Sequence, residues 1–214
     1  MGRPEGDNDR LDAMTELGNG LSAAKHYEDA LAVREAELST RRRLGDSEES
    51  ILVAQGNLAN TYRTLGRDEK ALPMRQEVYS GRLKLLGEEH NSTLIAALNC
   101  AASLNDLKRY EEAKLLLRKA IPVARRVLGE DAQLLLRMRK SYAVALYEYP
   151  TATLVDQREA ATTLEEVART ARRVLGGAHP LTTEFEWPLQ KARAALRAHE
   201  SRQDAAHEWI REYF

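Results

Sequence analysis

An all-α solenoid, a right-handed stack of about five antiparallel helix hairpins, is the fold class this sequence predicts, and three observations predict it. The hexapeptide ARRVLG stands at 124–129 and again at 171–176, with weaker relatives TRRRLG ending at Gly45 and RLKLLG ending at Gly87. The four glycines, 45, 87, 129 and 176, are separated by 42, 42 and 47 residues, a period that belongs to stacked helical units. Ala, Leu, Arg and Glu dominate while period-two alternation of aromatic and β-branched residues is almost absent, so the units are helical.

The segment 67–86, RDEKALPMRQEVYSGRLKLL, shows how each unit is written. Its apolar residues Ala71, Leu72, Met74, Val78, Tyr79, Leu83 and Leu86 recur at three and four residues, on one face of a helix. Asp68 and Glu69 sit in the first turn and Arg82 and Lys84 near the end, as the helix dipole favours. Gly87 stops it. The preceding segment, 50–66, reads as a second helix ending at Gly66, and the short connection makes the two antiparallel. Extended along the chain, this predicts first helices at about 9–24, 49–65, 92–107, 132–148 and 181–199, and second helices at about 28–44, 68–86, 110–128, 157–175 and 202–213. The expected organisation is a flexible stretch at 1–8 and one solenoid over 9–214, with repeats at 9–44, 45–86, 87–128, 129–175 and 176–214, the last ending in a capping helix.

On this reading ARRVLG is punctuation: its arginines lie in the last turn of a second helix, its Val and Leu pack inward, and its glycine ends the helix. The alternative is a basic ridge of Arg42, Arg43, Arg125, Arg126, Arg172 and Arg173 for an acidic partner. Pro122 and Pro188 fall inside expected helices and should kink them. YEYPTATLVDQ, 147–157, is an insertion in the fourth unit, read as a tolerated surface loop or as a recognition loop. Trp209, in DAAHEWIREYF, is expected to cover the end of the stack or to pair two copies.

Aligned on the glycines, each unit places a small residue where its helices cross: Ala30, Ala71, Ala113 and Ala160 on the second helices, Gly18, Ala59, Ala101 and Ala143 on the first. Leu21, Tyr62, Leu104 and Leu146 follow three residues after the latter. This pattern resembles the tetratricopeptide repeat. The longer period, with ALPM at 71–74, LLGEEHNSTL at 85–94 and VLGGAHPLTT at 174–183, resembles the kinesin light chain subclass of that family. The resemblance covers nearly the whole chain and implies that first helices line a concave groove binding a peptide or partner protein.

Carried over residue by residue, the groove would hold Asn57, Asn60, Arg63, Ile95, Leu98, Asn99, Arg137, Lys140, Val144 and Tyr147. Each asparagine amide can donate and accept toward an extended backbone. Arg63, Arg137 and Lys140 suit a partner with an acidic stretch, and Ile95, Leu98 and Val144 form an apolar strip between polar flanks. The other expectation is a structural subunit that docks into a larger assembly through its ends or convex face, without a peptide ligand.

Composition narrows the rest. Lys plus Arg is 32 against 33 Asp plus Glu, so nothing points to nucleic acid. The longest apolar runs are too short to cross a bilayer, the N-terminus has no secretory pattern, and the single Cys100 suits a reducing, cytoplasmic setting. No nucleotide-binding or nucleophile motif is present and the five histidines, 26, 90, 179, 199 and 207, have no metal-ligand spacing, so neither an enzyme nor a cofactor is expected. His90 and His179, in equivalent turns, are expected to cap the helices that follow them, and Cys100 to be an inert core thiol.

Overall fold

The computed structural model of the chain describes residues 5–213. They form helices α1 (Glu5–Ala23), α2 (Tyr27–Arg43), α3 (Glu48–Thr64), α4 (Asp68–Leu86), α5 (Asn91–Asp106), α6 (Tyr110–Leu128), α7 (Gln133–Tyr147), α8 (Leu154–Leu175) and α9 (Pro180–Tyr213). The all-α, helical-hairpin fold class is as expected, and there is no strand among the described residues. The chain divides into two compact units, Met1–Leu107 and Lys108–Phe214.

In the first unit α1 to α5 pack each against the next. The crossing residues Ala30, Ala59, Ala71 and Ala101 are all fully buried, which lets the backbones approach, and Leu31, Leu38, Leu58 and Tyr62 fill the space around them. In the second unit α6 to α9 pack in the same sequential way, with α7 also against α9. Ala113, Ala143 and Ala160 are again fully buried at the crossings, and Leu136, Val167, Ala171, Leu181 and Phe185 form a core cluster.

The turns explain where the helices end. After α2 the chain closes with Gly45 N–H on the Arg42 carbonyl and Asp46 N–H on that of Arg41, with Gly45 at φ 63°. This paired closure satisfies carbonyls that would otherwise be orphaned at the helix end. Gly87, Gly129 and Gly176 differ from the left-handed stop expected of them: their φ is 81–88° but their ψ is 157–172°. That region is essentially closed to residues with a Cβ, so the last glycine of ARRVLG is required by backbone geometry. Its arginines are tied locally, Arg125 to Glu130 at 2.7 Å and Arg172 to Glu186 at 2.9 Å, with Arg173 on Asp131. His90 and His179 cap as expected, their Nδ1 accepting from Ser92 N–H at 3.2 Å and Leu181 N–H at 3.1 Å. Cys100 is buried.

Three expectations are corrected. Residues 5–8 are already helical, with the acidic Asp7 in the first turn of α1, where the helix dipole favours a negative charge; residues 1–4 lie outside the described residues. The separate last helix at 202–213 does not exist: 199–202, HESR, contains no glycine, asparagine or proline to break the chain, so α9 runs unbroken for 34 residues. Val127 and Val174 of the repeated hexapeptide do not pack inward: they are 41% and 42% exposed. Pro122, Pro188 and Pro73 lie inside α6, α9 and α4. The Trp209 side chain lies outside the described residues.

Candidate functional site

Six of the ten expected groove residues fall in the first unit, on α3 and α5, and four in the second, on α7. On α3 the buried residues Leu52, Ala54, Leu58, Ala59 and Tyr62 turn Val53, Asn57 and Asn60 to the opposite side at spacings of four and three. On α5 the buried Leu94, Ala97, Cys100 and Ala101 do the same for Ile95 and Asn99. These five residues line a cavity of about 200 Å³, and Arg75, Val78 and Arg82 of α4 complete its wall. Val53 and Ile95 are the apolar part left to solvent, 43% and 38% exposed.

Arg75 is not among the expected groove residues, and it governs the site. It is 5% exposed. Its Nη1 donates to the Asn99 carbonyl at 2.7 Å and to Ser103 Oγ at 2.9 Å, and its Nη2 to Asn60 Oδ1 at 2.8 Å. Its buried Nε has no hydrogen-bond partner. Burial, reinforced by the charge of Arg63 and opposed by Asp106 and Asp68, pushes the guanidinium down to about 10, so it is still cationic at neutral pH. Arg82 donates to the Ser92 carbonyl at 3.0 Å, and burial pushes it down as well, against the influence of Glu49. No carboxylate is among the residues lining the cavity, whose wall therefore carries two guanidinium groups.

The same device stands one repeat earlier. Arg34, 8% exposed, donates through Nη1 to the Asn57 carbonyl at 2.7 Å and Thr61 Oγ1 at 2.6 Å, and through Nη2 to Asn19 Oδ1 at 3.2 Å. The sequence carries a signal for it: ALAVR at 30–34 and ALPMR at 71–75 both end in the buried arginine, four residues after the crossing alanine. Tracing only ALPM stops one residue short of it.

The asparagines are not equivalent. Asn60 has its side-chain oxygen engaged by Arg75, which leaves its N–H groups to donate. Asn57 and Asn99 accept from the arginines through their backbone carbonyls, and their side-chain amides have no partner among the described residues. Arg63 is exposed but paired with Asp106 at 2.6 Å, and Leu98 is half-buried. In the second unit Arg137 is exposed, Lys140 is paired with Glu184 at 2.5 Å, and Val144 is half-buried. Tyr147 is only 8% exposed, its hydroxyl has no partner, and burial pushes the phenol well above its usual range. Tyr147 is a core residue, because its large ring buries more favourably than it hydrates. Among the described residues no cluster of His, Cys, Asp and Glu could hold a metal ion, and no helix is long and apolar enough to cross a membrane.

Comparisons with known proteins agree with this architecture. Residues 48–126 match the family model described as "Tetratricopeptide repeat". Two solved structures of the kinesin light chain nearly identical TPR-like repeats of Podosopora anserina are similar to the chain. The first, a form with one substituted residue, has a TM-score of 0.75 and 22% identity, covering 96% of this chain and 95% of that one. The second has a TM-score of 0.72, also at 22% identity, covering 92% of each. BtubC (BKLC) from P. vanneervenii is similar at a TM-score of 0.58 and 15% identity, covering 92% of this chain and 81% of that one. No curated protein sequence matches. Residues 48–126 therefore carry the tetratricopeptide repeat pattern, and the chain as a whole has the fold of kinesin light chain-like repeats.

Proposed function

We propose that the chain binds an extended segment of a partner protein, carrying an acidic side chain, in the cavity walled by α3, α4 and α5 of the first unit. Tetratricopeptide repeats generally mediate protein–protein interaction. The observation that carries the finer reading is the pairing of partnerless amides with a buried guanidinium whose Nε–H is unsatisfied, all lining one cavity. A peptide backbone offers both a donor and an acceptor to Asn57 and Asn99, and a carbonyl to the Asn60 amide. A carboxylate accepting from Arg75 Nε–H would satisfy a donor that has no partner in the fold, and a charge-assisted bond in a desolvated wall is among the stronger polar contacts. Val53 and Ile95 supply the apolar contact. The chain acts as a scaffold and not as an enzyme, and the single buried Cys100 is in keeping with a cytoplasmic setting.

A random peptide display library panned on the full chain, and in parallel on Asn57→Ala/Asn99→Ala, tests this. The expected result is a motif with a central Asp or Glu whose affinity falls about tenfold or more on the double variant, while Arg137→Glu leaves it unchanged. Equal enrichment of the same peptides on wild type and the double variant would refute the site.

A further inference from the structure

The insertion at 147–157 forms a second pocket, independent of the one on α3–α5. Tyr149, Pro150 and Ala152 of the turn between α7 and α8 face His199, Arg202 and Gln203 of α9 across a cavity of about 360 Å³. Gln157, in the first turn of α8, lines the same space. Its side chain is 7% exposed, its Oε1 is sealed from solvent without a partner, and its amide makes no hydrogen bond to any described residue. An unsatisfied amide oxygen at this depth is costly, and such groups are few in folded proteins. The residue that carries it lines a cavity wide enough to admit a ligand.

The turn itself is held firmly. Thr153 and Asp156 form a reciprocal cap, with Thr153 N–H on Asp156 Oδ2 at 2.9 Å and Asp156 N–H on Thr153 Oγ1 at 3.1 Å. The Lys114 ammonium lies 5.6 Å from the centre of the Tyr149 ring, a cation–π contact that holds the ring in place. On the opposite wall Arg202 is tethered by Nε to the Ala198 carbonyl at 3.0 Å, and no carboxylate is among the residues lining the cavity.

We propose that this pocket is a second recognition site, for a peptide segment of a partner protein that presents one backbone amide to Gln157 and one carboxylate to Arg202 and His199. A backbone amide matches Gln157 because its carbonyl can accept from the Gln157 side-chain NH₂. A carboxylate matches Arg202 because the guanidinium fork fits its two oxygens. The Tyr149 ring and Pro150 give the segment a flat apolar surface to lie on.

The test starts from Asn57→Ala/Asn99→Ala, which removes the first pocket's amides. A random peptide display library is panned on that full-length variant, and the enriched peptide is labelled for fluorescence anisotropy against it, with Gln157→Met or Arg202→Glu added. The expected result is an Asp- or Glu-containing peptide whose binding weakens about tenfold or more with either added substitution. Gln157→Met should also keep or raise the melting temperature, because it removes an orphaned polar group. Three results would each overturn the proposal: no enrichment on the starting variant, enriched peptides indifferent to both substitutions, or a lower melting temperature for Gln157→Met, which would show that the amide is satisfied within the fold. Arg202 is exposed, so its variant reads binding without disturbing the core. If wild-type panning yields peptides that need Asn57 and Asn99 while this panning yields none that need Gln157 or Arg202, the first pocket stands and only this one is removed.

Discussion

The two units use different chemistry at the same place. Four residues after the crossing alanine of each second helix stand Arg34 and Arg75 in the first unit and Leu117 and Leu164 in the second. The arginines are 8% and 5% exposed and the leucines are fully buried, so all four are core residues. The matching register positions change as well. Where the first unit has Asn19 and Asn60, which accept from the arginines, the second has Val144, and where the first has the hydroxyls of Thr61 and Ser103 the second has Ala145. A buried guanidinium is tolerable only with its donors occupied, so the arginine and its acceptors enter and leave the repeat together. The comparison teaches that the polar first unit is a built feature: a wholly apolar solution to the same packing site exists in the same chain. It also leaves Arg75 Nε unsatisfied in a cavity, which the leucine units cannot do.

Moving residues between the two solutions gives the most severe test. Leu117→Arg places a guanidinium where the register offers Ala145 in place of Thr or Ser, and should destabilise the protein by on the order of 3–5 kcal/mol, read as a fall in the urea midpoint. A midpoint unchanged from wild type would mean that the arginines need no matched acceptors. Arg75→Leu should cost less, about 1–3 kcal/mol, because it strands the acceptors Ser103 Oγ and Asn60 Oδ1. Adding Ser103→Ala and Asn60→Ala, which imports the second unit's solution, should recover most of that loss. Failure of the triple variant to recover would show that Arg75 stabilises the first unit by more than satisfying its neighbours. The glycine stops sharpen the comparison further. Gly129→Ala should cost about 1–3 kcal/mol from backbone strain alone, since nothing lies within 4 Å of an added Cβ. Gly45→Asn, at φ 63°, should stay within about 0.5 kcal/mol of wild type.

The features readable in the sequence are those set by local or strictly periodic constraints. Crossing alanines, glycine stops and histidine caps recur at fixed spacing because each answers a steric or hydrogen-bonding demand within a few residues. Asn57, Asn60, Ile95 and Asn99 are placed on one cavity by helix periodicity and register alone. Arg75 escapes such a reading because a lone arginine on a helix reads as solvent-facing; its burial depends on acceptors 15 residues before it and 24 and 28 residues after it. Tyr147 fails for a related reason: register gives the direction of a side chain and says nothing of what covers it. The single long α9 is legible only as an absence, the missing helix breaker in HESR. Gln157 carries no signal at all, since its interest lies in what it fails to bond.

The central claim is that the first unit's cavity is a recognition site whose buried arginine keeps one donor for a ligand. The most direct measurement is a nitrogen-15 NMR titration of the full chain with a peptide enriched by panning, following the side-chain Nε–H of Arg75 and the amide NH₂ groups of Asn57, Asn60 and Asn99. The account predicts that these four resonances move together and saturate at one concentration, with Arg34, which lies outside the cavity lining, little changed. A peptide that saturates its effects elsewhere while Arg75 Nε–H stays still would contradict it.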